Sequence, residues 1–207
     1  LETGRSVALH GNDGFPLASV CKIPVAMHIL AMVDEGRLSR SQEVEIPSQD
    51  VWPGVSNIAE RWPAKTRFTV DEILFQMVSR SDNTAVETFW RLGGGFEGMS
   101  RRLSAWRLSG LRMDRSEREC ALAAAGVARA PHGDEWTPTL MDELTSKVDP
   151  AARERALRRF VADRRDHGTP MATVQLLRRA FRGELLSAAS TARLVEILEQ
   201  KIGRAHV

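Results

Sequence analysis

The chain has 207 residues with 29 basic and 27 acidic side chains, a formal charge of +2 at pH 7. That balance gives no reason to expect nucleic acid as a partner: the clustered arginines (Arg153, Arg155, Arg158, Arg159, Arg164, Arg165) lack interleaved aromatics and are broken by Glu154 and Asp163, as on a solvated helix face. No apolar run approaches the ~20 residues of a membrane span, and the length suffices for one sizeable core or two subdomains sharing a cleft.

Residues 5–10 predict a strand, because Val7 and Leu9 alternate with smaller or polar neighbours, and Asn12-Asp13-Gly14 predicts a turn after it. Phe15-Pro16-Leu17-Ala18-Ser19-Val20-Cys21-Lys22 comes next. Apolar residues then recur at Ile23, Val25, Ala26, Ile29, Leu30 and Val33, as on a helix that ends at Gly36. On such a helix Ser19 stands at the N-terminus, where partial positive charge and free N–H groups collect, and Lys22 lies three residues on, on the same face. A serine hydroxyl attacks poorly at neutral pH unless a base takes its proton, and a buried lysine loses its own proton more readily than one in water. A capping serine beside a surface lysine has the same spacing.

Further along, Trp52-Pro53 falls in a loop. Thr69-Val70-Asp71-Glu72 is a capping box opening a helix through Ile73, Leu74, Met77 and Val78, which delivers Ser81 at its far end. Ser81-Asp82-Asn83 is also a plausible plain turn, since all three residue types favour turns. Residues 84–92 continue helically to Gly93-Gly94-Gly95, and 96–108 read as an amphipathic helix with Leu103 and Trp106 inside. The run Asp114-Arg115-Ser116-Glu117-Arg118-Glu119 is of the charged kind that is usually solvated. Helices are predicted around 140–147 and over 150–162, 170–182 and 188–200, those at 150 and 170 opened by proline. Helix therefore predominates, and no internal repeat is evident. Cys21 and Cys120 allow one bridge at most and read as buried thiols, and the five histidines show no metal-ligand spacing.

In their order, Ser19-x-x-Lys22, Ser81-Asp82-Asn83, Asp114-Arg115-Ser116-Glu117 and Thr169-Pro170 make most of the chain resemble a class A β-lactamase, within the wider family of penicillin-recognising serine enzymes. The resemblance implies an α+β fold of the β-lactamase/transpeptidase type, mostly its helical part with an incomplete antiparallel sheet. It implies that Ser19 attacks the β-lactam carbonyl, that Lys22 helps remove its proton, and that Ser81 passes a proton to the departing ring nitrogen. Asn83 would bind the substrate's side-chain amide and hold Lys22, Glu117 would activate the water that releases the acyl group, and either Lys22 or Glu117 could be the base for acylation. Trp52 would line the cleft mouth, although a packed surface tryptophan suits the position equally. The expected partner is a small-molecule β-lactam, with no cofactor, no nucleic acid and no membrane, and the expected state is a monomer in the periplasm or outside the cell. No signal peptide is visible, so any export signal is expected upstream of Leu1.

Several departures from the family qualify this. The Lys-Thr-Gly strand is absent, since neither Lys147 nor Lys201 is followed by Thr-Gly. Removing one oxyanion-hole donor costs on the order of 3 kcal/mol in a protease, so a chain without that strand is expected to be inactive or nearly so. The chain is expected to be truncated at both ends. Residues 202–207 match one reading frame of a common sequencing adaptor, as in an environmental read that ran into adaptor, so the natural sequence is expected to diverge after about Lys201. The partial catalytic domain is then 1–201. Arg115 and Asp166 fit the ion pair that closes the family's omega loop, yet fifty residues lie between them where compact omega loops run about 6–16, so a helical insertion is expected over about 121–163. The residue after Glu117 is Arg118 instead of the usual cis-bonded proline, which requires either strain or a changed path. Four residues beyond Glu117, where an asparagine commonly helps hold the water, stands Ala121, so slower deacylation is expected. A penicillin-binding peptidase or β-lactam sensor that is acylated but not deacylated is the second reading, and a non-catalytic helical module the third.

Overall fold

In this computed structural model, which describes residues 7–52, 54–131 and 135–202, the chain folds around one helix, α1 (Lys22–Asp34). Its residues Ala26, Met27, Ile29 and Leu30 are completely buried. A helix apolar on every side has to be enclosed, and α3 (Val70–Ser79), α4 (Asn83–Leu92), α5 (Gly95–Ala105) and α10 (Ala188–Ile202) enclose this one. Close approach of α5 to the end of α4 depends on Gly98, where a Cβ would lie 1.8 Å from the Gly93 carbonyl oxygen.

Local sequence accounts for most helix starts. Thr69 opens α3 with a capping box, accepting from the Glu72 N–H while the Glu72 carboxylate accepts from the Thr69 N–H. Asp82 caps α4. Asp149-Pro150 and Thr169-Pro170 open α8 (Pro150–Ala162) and α9 (Pro170–Phe181), each with proline where its missing N–H costs nothing. A second capping box, Ser116 with Glu119, starts α6 (Glu117–Ala125), which stops at Gly126 in a left-handed conformation with φ of +89°.

Strand is scarce. Among the described residues the named strands form two two-stranded antiparallel sheets, with one isolated antiparallel bridge between Leu111 and Gly168. β1 (Phe15–Pro16) pairs with β4 (His167–Gly168), Phe15 opposite Gly168, and β2 (Glu43–Glu45) pairs with β3 (Arg67–Thr69), Val44 opposite Phe68. The strand expected over 5–10 is not formed at Val7–His10, and Arg5 lies outside the described residues. Val7 and Leu9 are exposed, and alternation without a neighbouring strand to supply ladder hydrogen bonds does not make one. At the glutamate segment the structure takes the second of the two expected alternatives. Helix begins at Glu117 itself, so the Glu117–Arg118 peptide lies in the first turn of α6 and is not cis: the path has changed. The expected tail, 202–207, falls outside the described residues from 203 onward.

Candidate active site

A short 3-10 turn, Ala18–Cys21, precedes α1, so Ser19 stands just ahead of the helix, exposed to solvent, while Lys22 is the first residue of α1 and is buried. The Ser81 segment crosses the gap between α3 and α4 with Ser81 at φ +59°, a left-handed conformation that costs a serine energy. It is held by Asp82, whose carboxylate accepts from the Ala85 and Ile58 N–H groups and the Ser56 hydroxyl at 2.9–3.0 Å. Knotting the turn in this way keeps Ser81 and Asn83 aimed at Lys22.

The result is a closed hydrogen-bonded triangle. Ser81 Oγ lies 3.2 Å from Ser19 Oγ and 3.2 Å from Lys22 Nζ, and Lys22 Nζ lies 3.4 Å from Ser19 Oγ. Lys22 also donates to the Ser81 carbonyl and to Asn83 Oδ1, both at 2.7 Å. An ammonium has three N–H bonds, so the two short contacts take two of them and the third is shared between the hydroxyls. A hydroxyl can rotate to give or take a proton, and so the triangle can pass one among its three members.

Glu117, half-buried at the head of α6, accepts the Cys21 thiol hydrogen at 2.9 Å. Burial, then the neighbouring Glu117 charge, pushes the Cys21 thiol well above its ordinary range, so it stays protonated and remains a donor. Both cysteines are free thiols, which removes the possible bridge. Cys21, Glu117, Cys120 and Ala121 line a mostly apolar cavity of about 180 Å³ with Val86, Trp90 and Phe160.

The loop carrying Glu117 is closed at its neck, as expected from the sequence. Arg115 Nε meets Asp166 at 2.6 Å, and Asp166 also accepts from the Asp114 and Arg115 backbone N–H groups at 2.6 and 2.8 Å. Between them run α6, α7 (Leu140–Thr145) and α8, with α8 packed on α6. The charged run is not the solvated face its composition suggested: Arg118 is buried, its guanidinium 4.3 Å from the Trp136 ring centroid and donating to the Gln49 carbonyl at 2.6 Å. Its backbone N–H donates at 2.8 Å to Glu87. Burial raises the Glu87 carboxyl to about 7 against the opposing charge of Arg118.

Of the residues singled out from sequence, Ser19, Lys22, Ser81 and Asn83 form one hydrogen-bonded group, whereas the bond Glu117 makes is to Cys21, the residue before Lys22. The contact of Trp52 is with the residue after Asn83: its backbone N–H donates to Thr84 Oγ1 at 3.0 Å. Sequence reasoning missed Cys21, Asp82 and Glu87 as contributors. Glu87 carried a readable signal, an acidic residue flanked on α4 by the core positions Val86 and Phe89.

The profile of the β-lactamase enzyme family matches residues 1–205. The chain is 36% identical over 101 residues to β-lactamase VEB-1 of Pseudomonas aeruginosa, covering 48% of this chain and 34% of that one. It is 28% identical over 194 residues to β-lactamase AER-1 of Aeromonas hydrophila, covering 94% of this chain and 52% of that one. Its fold matches a β-lactamase from Chitinophaga pinensis with a TM-score of 0.74 at 26% identity, over 97% of this chain and 61% of the other. An ancestral class A β-lactamase matches with a TM-score of 0.70 at 26% identity, over 95% and 61%. The chain thus spans about half or less of the curated relatives' length and about three-fifths of the solved ones.

Proposed function

We propose, since this chain belongs to the β-lactamase enzyme family, that it is the part of a class A enzyme that opens β-lactams through an ester on Ser19. The observation that carries the proposal is the hydrogen-bonded triangle of Ser19, Lys22 and Ser81. Ser19 Oγ attacks the lactam carbonyl carbon. Its proton leaves toward Lys22 in its neutral amine form, and Ser81 Oγ hands its own proton to the ring nitrogen as the C–N bond breaks and recovers one from the Lys22 ammonium. The acyl group is then bound to Ser19 as an ester. Glu117 removes a proton from a water molecule, which attacks the ester carbon, and Ser19 Oγ recovers a proton as it departs. Asn83 orients Lys22 and meets the substrate's side-chain amide, and Trp52 lines the mouth of the cleft. No step requires a metal or cofactor. The same reading makes the segment of about 121–163 a helical insertion in the omega loop, and the protein an exported monomer, periplasmic or secreted.

Acylation by this chain should be slow, because the Lys-Thr-Gly segment that would supply a second oxyanion contact is not among its residues. Intact-mass spectrometry after prolonged incubation with benzylpenicillin tests the proposal. The expected result is one penicilloyl adduct, mapped to Ser19 by digestion and absent from Ser19→Ala. An adduct that persists in Ser19→Ala refutes it. Ala121, an apolar side chain on the cavity wall near Glu117, favours the second reading, a protein that is acylated and releases its adduct slowly. The decay of the same adduct separates the two.

A further inference from the structure

Glu117 stands at the first position of α6 with its backbone fixed from two sides. The capping box of Ser116 and Glu119 holds the turn before it, and the Arg118 N–H is bound to Glu87 at 2.8 Å. The freedom that remains is in its side-chain torsions. The cavity wall beside it is largely apolar, formed by Val25, Val86, Trp90, Met113, Ala124 and Phe160, and offers a carboxylate nothing to bind. Two charged residues also line that cavity, Arg115 and Asp166; Arg115 pairs through Nε with Asp166 at 2.6 Å, and its Nη2 faces the Asp163 carboxylate at 3.5 Å. What meets Glu117 Oε2 is the thiol of Cys21, at 2.9 Å, from a residue 96 positions away. That thiol belongs to the same 3-10 turn as Ser19 and immediately precedes Lys22.

We propose that Cys21 is the positioning residue for Glu117: its S–H bond ties the water-activating carboxylate to the turn that carries the nucleophile and fixes the distance between the two. The inference rests on the reading of Glu117 as the group that activates water, and it concerns deacylation alone. A thiol suits this task because it is a weak donor. It restrains the carboxylate without competing strongly with the water that must also bind there. Burial keeps the sulfur protonated, so the donor persists across the working pH range. The contact ties the head of α6, inside the loop closed by Arg115 and Asp166, to the turn that carries Ser19.

The test uses the chain acylated with benzylpenicillin and freed of excess drug, following the loss of the adduct by intact mass. In Cys21→Ala the rate of adduct formation should stay within about twofold of wild type while adduct loss slows about tenfold or more, the scale of a misplaced catalytic group. Cys21→Ser keeps a donor and should recover most of the rate. Cys21→Ala that releases its adduct at the wild-type rate, or Cys21→Ser no faster than Cys21→Ala, overturns the proposal. Glu117→Gln separates the two levels of argument. If it releases the adduct as fast as wild type, the role of Glu117 fails and this proposal with it. If Glu117→Gln is slow and Cys21→Ala fast, the proposal fails alone. A readout free of turnover covers a variant that does not fold: the S–H stretching band in the Raman spectrum of the Cys120→Ser chain. It should lie below the band of the denatured chain and rise in Cys120→Ser combined with Glu117→Gln. A band unchanged by denaturation overturns the proposal.

Discussion

Replacing Glu87 by glutamine should remove a pH dependence of stability that the wild-type chain carries. Glu87 is buried on α4 and receives the Arg118 N–H at 2.8 Å, with the Ser116 side chain also bonded to it. Arg118 attracts its negative charge and Asp50 repels it, but Asp50 is already engaged by Arg91 at 2.6 Å, and burial outweighs both. The carboxyl therefore titrates at about 7 in the folded chain and near the ordinary 4.5 when unfolded. Below the lower value both states are protonated and the group contributes equally to each. As pH rises between the two values the unfolded chain ionises and the folded chain does not, so folding is progressively disfavoured. At about 1.4 kcal/mol per unit, the loss across this window is about 3 kcal/mol. Glutamine keeps an acceptor for the Arg118 N–H and does not titrate. Urea unfolding of both chains at pH 4.5 to 8, followed by tryptophan fluorescence, gives the difference directly. The glutamine chain should gain about 3 kcal/mol relative to wild type as pH rises through the window. A difference that stays constant within about 0.5 kcal/mol, the scatter typical of neutral substitutions, refutes the reasoning.

Asp166→Ala strips the neck of its carboxylate and leaves Arg115 partly buried with two backbone N–H groups unpaired, so a loss of about 3 kcal/mol is expected in urea unfolding. A loss below about 1 kcal/mol would show that the loop is held elsewhere. Ala121→Asn places an amide one turn beyond Glu117 on α6, beside the cavity; release of the Ser19 adduct should quicken about tenfold, and an unchanged rate means that water positioning is not what limits it. Lys22→Ala should slow adduct formation by about 10² to 10⁴, measured by intact mass, and formation at the wild-type rate would remove Lys22 from the proton path.

Features of this fold that depend on a few adjacent residues were legible in the sequence. Thr69 with Glu72, and the prolines at 150 and 170, announce helix starts because a cap needs only its own first turn. The meeting of Ser19, Lys22, Ser81 and Asn83 was legible through a recognised order of motifs, whereas the knot that makes it possible was not. Asp82 gathers donors from Ser56, Ile58 and Ala85, and only the last is near it in the chain. Strand formation failed as a local inference for the same reason. Val7 and Leu9 alternate as a strand would, but pairing requires a partner that adjacent residues cannot supply, and the strand that does form, at Phe15, pairs with Gly168. Composition alone reads the charged run as solvated, and only the order of motifs sets that reading aside for Glu117. Ser116-Glu117-Arg118-Glu119 carries the same capping-box signal as Thr69-Val70-Asp71-Glu72, and reading it that way would have placed Glu117 at a helix start. That Arg118 is buried follows from Trp136 and Gln49, both remote in sequence.

The two halves of the proposed reaction rest on different kinds of support. The acylating cluster is bound within itself: Lys22 is buried at the head of the central helix, and the Ser81 turn that meets it is clamped by a carboxylate with three hydrogen-bond donors. Its geometry therefore shares the stability of the core, and loosening it means disturbing α1, α3 and α4 together. Glu117 has no such enclosure. Its position depends on a neck ion pair, on one N–H donated to a carboxyl that titrates near neutrality, and on a thiol contact across the cavity. These are polar contacts outside the packing around α1, and α7 and α8 lie within the same closed loop. Sequence change in that loop can then alter the lifetime of the acyl-enzyme while leaving its formation intact. This would let one scaffold range from rapid hydrolysis to long-lived capture without any change at Ser19, Lys22 or Ser81.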